Sequence, residues 1–243
     1  MLIAIPSKSR PYKSKSKELL KSAKLFVPEN EVQAYEKIYP NDVIGVPLSV
    51  RGITATRNWI LKQYDGEDVV FVDDDLKQAG FLDTTSIDDP YKKKHIRITE
   101  DELVRCFEQA FETVRSLGWK IWGAKTESAG ISNYPEYPFR LRSYITAACM
   151  GIVNDGTLYF DETYKVKEDY EIGLRHVEMF GGVLSLRYFY WEEEHWTTDG
   201  GCKDYRNDDV EREAINKLIK RYPSFIRSVN RKNAVYNIQL MFD

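Results

Sequence analysis

The chain has 243 residues, 42% of them hydrophobic and 13% aromatic, with a formal net charge of −3, which excludes a disordered segment and gives no global attraction to nucleic acid. No apolar run approaches the roughly 20 residues that a membrane helix needs, and the apolar start at Leu2 to Pro6 is too short for a secretory signal, so a soluble cytoplasmic protein is expected. Cys106, Cys149 and Cys202 lie far apart with no CxxC pair, which suggests neither a disulfide framework nor a thiolate zinc site.

Leu2 to Pro6 reads as a first strand closed by proline, followed by the polar loop Ser7 to Pro11 and a short basic helix over 14–22. Leu25 to Pro28 is a second strand, Glu31 to Tyr39 a helix, and Val43 to Leu48 a third strand. This repetition predicts a largely parallel sheet with crossover helices, in which the loop after the first strand is where a nucleotide or phosphate sits. Gly52-Ile53-Thr54 opens a helix, with Thr54 as its expected N-cap and Arg57 in its first turn. That arginine suits either a nucleotide phosphate or base, or a surface salt bridge.

Val69 to Val72 reads as a strand buried on both faces and runs into Asp73-Asp74-Asp75. Residues 80–98 are polar and irregular, a candidate mobile loop. Thr99 with Glu102 forms a capping box for a helix carrying Leu103, Cys106/Phe107, Ala110/Phe111, Val114 and Leu117 at helical spacing, and Gly118 stops it. A strand is predicted over Trp119 to Ala124. Tyr134 to Arg140, with two prolines and three aromatics, reads as a structured loop whose rings either stack on a ligand or pack beneath the loop.

Ile145 to Val153 reads as a strand whose small central residues would admit a ligand close to the backbone. Leu158 to Phe160 is a further short extended piece. A helix follows over Lys167 to Phe180, stopped by Gly181-Gly182, then a long strand over Val183 to Trp191 that empties into Glu192 to His195. The last helix runs from Asp208, with Glu211 as its box partner, to Tyr222.

Three carboxylates after a buried strand suit either a solvated turn or helix cap, or a hard divalent cation. Alternation along an extended backbone puts Asp73 and Asp75 on one side and Asp74 on the other. Glu168 and Asp169 begin a helix, where the helix dipole keeps a carboxylate ionised. Such a group serves as a cap or accepts a proton from an attacking hydroxyl. His195, one of three histidines, is either structural or a further metal ligand beside Asp73 and Asp75. Lys8, Arg10, Lys13, Lys15, Lys17, Lys21 and Lys24 face only Glu18 near the start, and residues 212–243 are also basic, so the ends suit phosphates while the centre holds the acid.

Val69 to Asp75 resembles the strand and DXD motif of GT-A glycosyltransferases. Phe160-Asp161-Glu162, then Glu168-Asp169-Tyr170-Glu171-Ile172-Gly173-Leu174-Arg175, is similar to their FDE…EDxDLxxR pattern, with Glu171 in place of the usual aspartate. The resemblance covers most of residues 1–200. It implies a single α/β GT-A domain over 1–243, with a central, mostly parallel mixed sheet flanked by helices. Residues 1–80 would form the nucleotide-binding half, 99–200 the acceptor and catalytic half, and 201–243 a basic helical segment. It also implies a UDP-sugar donor in a pocket formed by Pro6, Ser7, Arg10, Arg57, Asp73 and Asp74. Mn²⁺ or Mg²⁺ would be held by Asp73, Asp75 and His195, with Asp169 as general base. More narrowly, the Gly52 to Asn58 helix start and the Glu194-His195 to Gly200-Gly201 ending resemble phage glycosyltransferases associated with TET/JBP-type hydroxylases. That implies double-stranded DNA carrying 5-hydroxymethylcytosine as acceptor, in the host cytoplasm, and no membrane partner. A saccharide or lipid acceptor, a nucleotidyltransferase and a non-catalytic nucleotide- or DNA-binding module are the rivals.

Overall fold

In a computed structural model of the chain, the residues described are 1–12, 14–83, 95–126, 137–193, 207–229 and 238–242. Among them ten strands form one mixed sheet. β1 (Leu2–Pro6), β2 (Lys24–Pro28), β3 (Val43–Val46) and β4 (Val69–Val72) run parallel in the order β3-β2-β1-β4. The order continues through β9 (Cys149–Ile152), β7 (Ile121–Thr126), β10 (Leu184–Glu193), β5 (Leu76–Leu82) and β6 (His95–Arg97), with β8 (Phe139–Arg140) also paired to β10. β9 lies antiparallel between β4 and β7, β10 is parallel to β7, and β5 and β6 are antiparallel.

Period-two alternation divides the core. Ile3, Ile5, Val70 and Val72 face one layer, packed with Phe107 and Phe111 of α4 (Glu100–Ser116), while Leu2, Ala4, Val69 and Phe71 face the other, packed with Ile60 of α3 (Ile53–Gln63) and Ile172 of α5 (Glu168–Phe180). All four β4 side chains are fully buried, as a strand covered on both faces requires, each worth roughly 1.5–3 kcal/mol. α4 starts with the expected box, Glu102 N–H donating to Thr99 Oγ1 at 3.3 Å and Thr99 N–H to Glu102 Oε2 at 2.7 Å. Gly118, at φ +69°, follows its end.

Several elements differ from the sequence reading. The span 80–98 contains the end of β5 and all of β6, paired at Gly80↔Arg97 and Phe81↔Ile96, because Ala79 and Leu82 bury on the sheet despite polar neighbours. Leu117 is 41% exposed. Residues 145–148 precede β9 without joining it, and 158–160 form no strand. Gly151 makes room for protein, since a Cβ there would sit 2.1 Å from the Trp122 indole. Gly52 precedes α3 at φ +89°, and Thr54, inside the helix, donates its hydroxyl to Tyr164 O at 2.8 Å. α6 (Asp208–Arg221) is capped by Asn207, which accepts from Asp209 and Val210 N–H, whereas Glu211 is buried and pairs with Lys167 at 3.2 Å.

His176 of α5 is fully buried, its Nε2 accepting Lys120 N–H at 3.0 Å and its Nδ1 donating to Gly182 O at 2.6 Å, which fixes one neutral tautomer. Burial pushes its pKa down from 6.5 to about 4. The stability this conferred by keeping the ring neutral is present above pH 6.5 and is lost as pH falls toward 4, at most about 1.4 kcal/mol per pH unit. Urea unfolding at pH 7 and pH 5 should show a smaller loss for H176Q than for the wild type; equal losses would reject the assignment.

Candidate active site

The carboxyl end of β4 organises the site. Asp73 N–H donates to Ala148 O at 3.0 Å, carrying the extended backbone one residue beyond the strand. Asp74 and Asp75 turn the chain into β5 rather than prolonging the extended run that the sequence suggests; Asp73 and Asp75 are partly exposed and Asp74 is buried. Asp74 accepts from Ser7 Oγ at 2.5 Å and from Arg10 Nη1 at 2.8 Å, tying the loop after Pro6 to the strand end. Since the Ser7 proton goes to Asp74, the Tyr35 hydroxyl donates to Ser7 Oγ at 2.8 Å and accepts Arg10 N–H at 2.9 Å. Burial raises the Tyr35 pKa to about 12, so it stays a donor. The loop predicted to meet the donor is therefore held by a four-member network that includes a tyrosine of α2 (Val32–Glu36).

Arg57 joins this end to α5. It is 2% exposed, lies 5.8 Å over the Phe71 ring and 5.7 Å over Phe160, and donates from Nη2 to Asp73 Oδ1 at 3.0 Å and from Nη1 to Glu168 Oε1 at 2.6 Å. One planar guanidinium spans both acidic clusters, with a separate nitrogen for each. Asn58 of the same helix locks the Phe160-Asp161-Glu162 segment, donating from Nδ2 to Phe160 O and Glu162 Oε1, each at 2.9 Å, and accepting Phe160 N–H at 2.8 Å.

Lys167 precedes α5 at φ +62°, a left-handed conformation uncommon for a side chain with a Cβ, so Glu168 and Asp169 enter the first helical turn from a strained residue. Burial raises the Glu168 pKa, opposed by Arg57 and reinforced by the neighbouring Asp169 charge. Asp169 accepts from Tyr144 Oη at 2.6 Å and from Tyr170 N–H at 2.9 Å. It borders a small cleft with Tyr144, Tyr170, Leu240 and Phe242, the last two at the C-terminal end of the described chain. Glu171 is fully buried, paired with Arg175 and accepting the Tyr222 hydroxyl at 3.0 Å, so at this position the acid braces α5 against α6.

The structure thus gathers Pro6, Ser7, Arg10, Asp74, Arg57, Asp73 and Asp75 around one strand end and connects them to Glu168-Asp169 through Arg57. His195 lies outside the described residues, as do Lys13, Arg231 and Lys232. The basic start offers fewer charges to a ligand than its count implies: Lys17 is buried, bonded to Lys21 O, Ala23 O and Asp42, while Lys24 also pairs with Asp42 and Lys15 with Glu18. Tyr35 and Tyr144 had no sequence signal, being two of 16 tyrosines with no marked spacing.

No helix among the described residues is long and apolar enough to cross a membrane. Among solved structures the chain is similar to S. aureus TarS 1–349 in complex with UDP-GlcNAc, at TM-score 0.50 and 16% identity, covering 90% of this chain and 67% of that one, about two thirds of its length. It is also similar to glucosyl-3-phosphoglycerate synthase from Mycobacterium tuberculosis in complex with Mn²⁺, UDP-glucose and phosphoglyceric acid, at TM-score 0.53 and 12% identity, covering 91% and 79%. At these identities the likeness shows the fold, which is that of the GT-A glycosyltransferases. No curated protein sequence matches the chain. The model of the TET-associated glycosyltransferases matches residues 1–201 and so takes in β1 through β10, both acidic clusters and Arg57 between them; the chain belongs to that family and is a glycosyltransferase.

Proposed function

We propose that the protein moves a hexose from a UDP-sugar to the hydroxymethyl oxygen of 5-hydroxymethylcytosine in phage DNA. The observation that carries this reading is Arg57, which couples the strand end suited to a nucleotide diphosphate with the helix start that presents a carboxylate to an acceptor. The UDP and Mn²⁺ in complexes of the mycobacterial synthase, and the family's association with TET hydroxylases, support the donor and the acceptor respectively. In this reading the whole chain works as one GT-A domain, residues 1–80 holding the donor and 99–200 the acceptor.

Asp73 and Asp75 fit a hard divalent cation: both supply oxygen and both are partly exposed at the end of one strand. The described residues hold no group of three metal-ligating side chains, and His195, which lies outside them, would be the third residue to hold the ion in this reading. When bound, the ion supplies charge neutralisation for the departing UDP. Asp169 accepts the proton of the acceptor hydroxyl as its oxygen bonds to the anomeric carbon, while the bond to UDP breaks and the leaving phosphate keeps the electron pair. Ser7 and Arg10, held by Asp74 and Tyr35, keep the loop after β1 in place around the donor.

The test is mass spectrometry of nucleosides from hydroxymethylcytosine-containing DNA incubated with the protein, Mn²⁺ and a panel of UDP-sugars. A hexose-sized gain on the modified nucleoside, lost without metal, is expected. Metal-dependent UDP-sugar hydrolysis without that gain would reject DNA as acceptor. For the metal ligands D75N is the cleaner variant, since Asp73 also pairs with Arg57. It should abolish the manganese dependence of UDP binding in calorimetry; unchanged affinity would reject Asp75.

A further inference from the structure

We infer that Tyr144 is a positioning residue for Asp169, its hydroxyl fixing the orientation in which the carboxylate meets the acceptor. This rests on the reading of Asp169 as the base. An ionised carboxylate only accepts, so the 2.6 Å contact between Tyr144 Oη and Asp169 Oδ2 has the phenol as donor. The Tyr170 N–H holds the other oxygen at 2.9 Å. Both carboxylate oxygens are thus anchored, and each keeps a lone-pair direction for the acceptor hydroxyl. The Tyr144 ring cannot drift, because it stacks on Tyr170 with centroids 4.2 Å apart and planes at 26°. Burial, with Asp169 adjacent, holds the phenol pKa well above 10, so the donor keeps its proton over any working pH.

Packing alone would not require the hydroxyl. A phenylalanine would fill the same space and keep the stack, while removing the one atom aimed at Asp169. Among the described residues the charged groups around the pair are Glu168 beside it on α5, Arg57 of α3 reaching Glu168, Lys167 just before α5, and Glu211 of α6. Leu240 and Phe242 close the cleft with apolar surface. Y144F leaves all of these in place, so a change in Asp169 reports the lost hydroxyl.

The experiment is steady-state transfer kinetics of Y144F, run beside calorimetry of UDP binding and a urea unfolding curve. In Y144F kcat should fall about tenfold, the loss expected for one hydrogen bond to a charged group, with the donor KM, UDP affinity and unfolding midpoint unchanged. A kcat equal to the wild type, or a fall matched by a loss of stability and donor binding, would overturn the positioning role while leaving Asp169 as base. If D169N keeps full transfer, the base reading falls and the positioning role with it.

Discussion

Asp169→Asn should lower hexose transfer by about 10²–10⁴-fold, the contribution of a positioned general base, while UDP binding stays within twofold of the wild type. The amide is nearly isosteric: its oxygen can accept the Tyr170 N–H while its NH2 donates to the Tyr144 hydroxyl oxygen, so the first turn of α5 keeps its geometry. What it loses is the ability to take a proton. The separation of effects follows from placement, since Asp169 borders the cleft of Tyr144, Tyr170, Leu240 and Phe242, while the loop after β1 proposed to meet the donor is held by Asp74. Measured by nucleoside mass spectrometry for transfer and by calorimetry for UDP, substantial residual transfer would remove Asp169 from the base role. A parallel loss of UDP affinity would instead indicate that the variant disturbs the Arg57–Glu168 contact next to it.

The parts of this site that the sequence showed are those fixed by local rules. β4 and its three aspartates were legible because four consecutive apolar residues and then three charges can only be a covered strand and its exit. The Thr99–Glu102 box and the glycine after α4 follow from a few neighbouring residues, and Asp169 at a helix start needed only the position of that start. The long-range contacts were not legible. Arg57 and Glu168 are 111 positions apart, and nothing near either says that the guanidinium turns inward rather than toward solvent. Lys17 carried the same ambiguity in reverse: it was counted as a phosphate-holding charge, yet its stem is buried and its ammonium serves two carbonyls and Asp42. β5 and β6 escaped because their partners decide them, as Phe81 packs edge-on to Phe189 of β10, a residue more than a hundred positions away. The resemblance to GT-A enzymes supplied the order of the motifs but not the tyrosines, which belong to this chain's packing.

Arg57→Met should cost about 3–5 kcal/mol of stability, the range for removing one partner of a buried ion pair. Methionine fills much of the stem volume between Phe71 and Phe160, so the loss is electrostatic more than a cavity. Glu168, 12% exposed, would be left without the cation that opposes its desolvation, and Asp169 beside it adds repulsion. The pH dependence gives the diagnosis. Burial already raises the Glu168 pKa above its unfolded value, and without Arg57 it rises further, so the variant's deficit should shrink as pH falls and Glu168 takes up a proton. Urea unfolding at pH 5 and pH 8 should therefore show the larger deficit at pH 8. The double variant R57M/E168Q should recover part of the loss, because the uncompensated charge has gone, which makes the two substitutions non-additive. A deficit equal at both pH values and additive with E168Q would mean that Arg57 acts through packing alone. In the predicted case the ion pair has a second consequence: Asp73 loses its 3.0 Å tether, so manganese-dependent UDP binding should weaken in R57M even where the protein is fully folded. A stability deficit and a donor-binding deficit from one buried side chain would tie the two acidic clusters into a single working site.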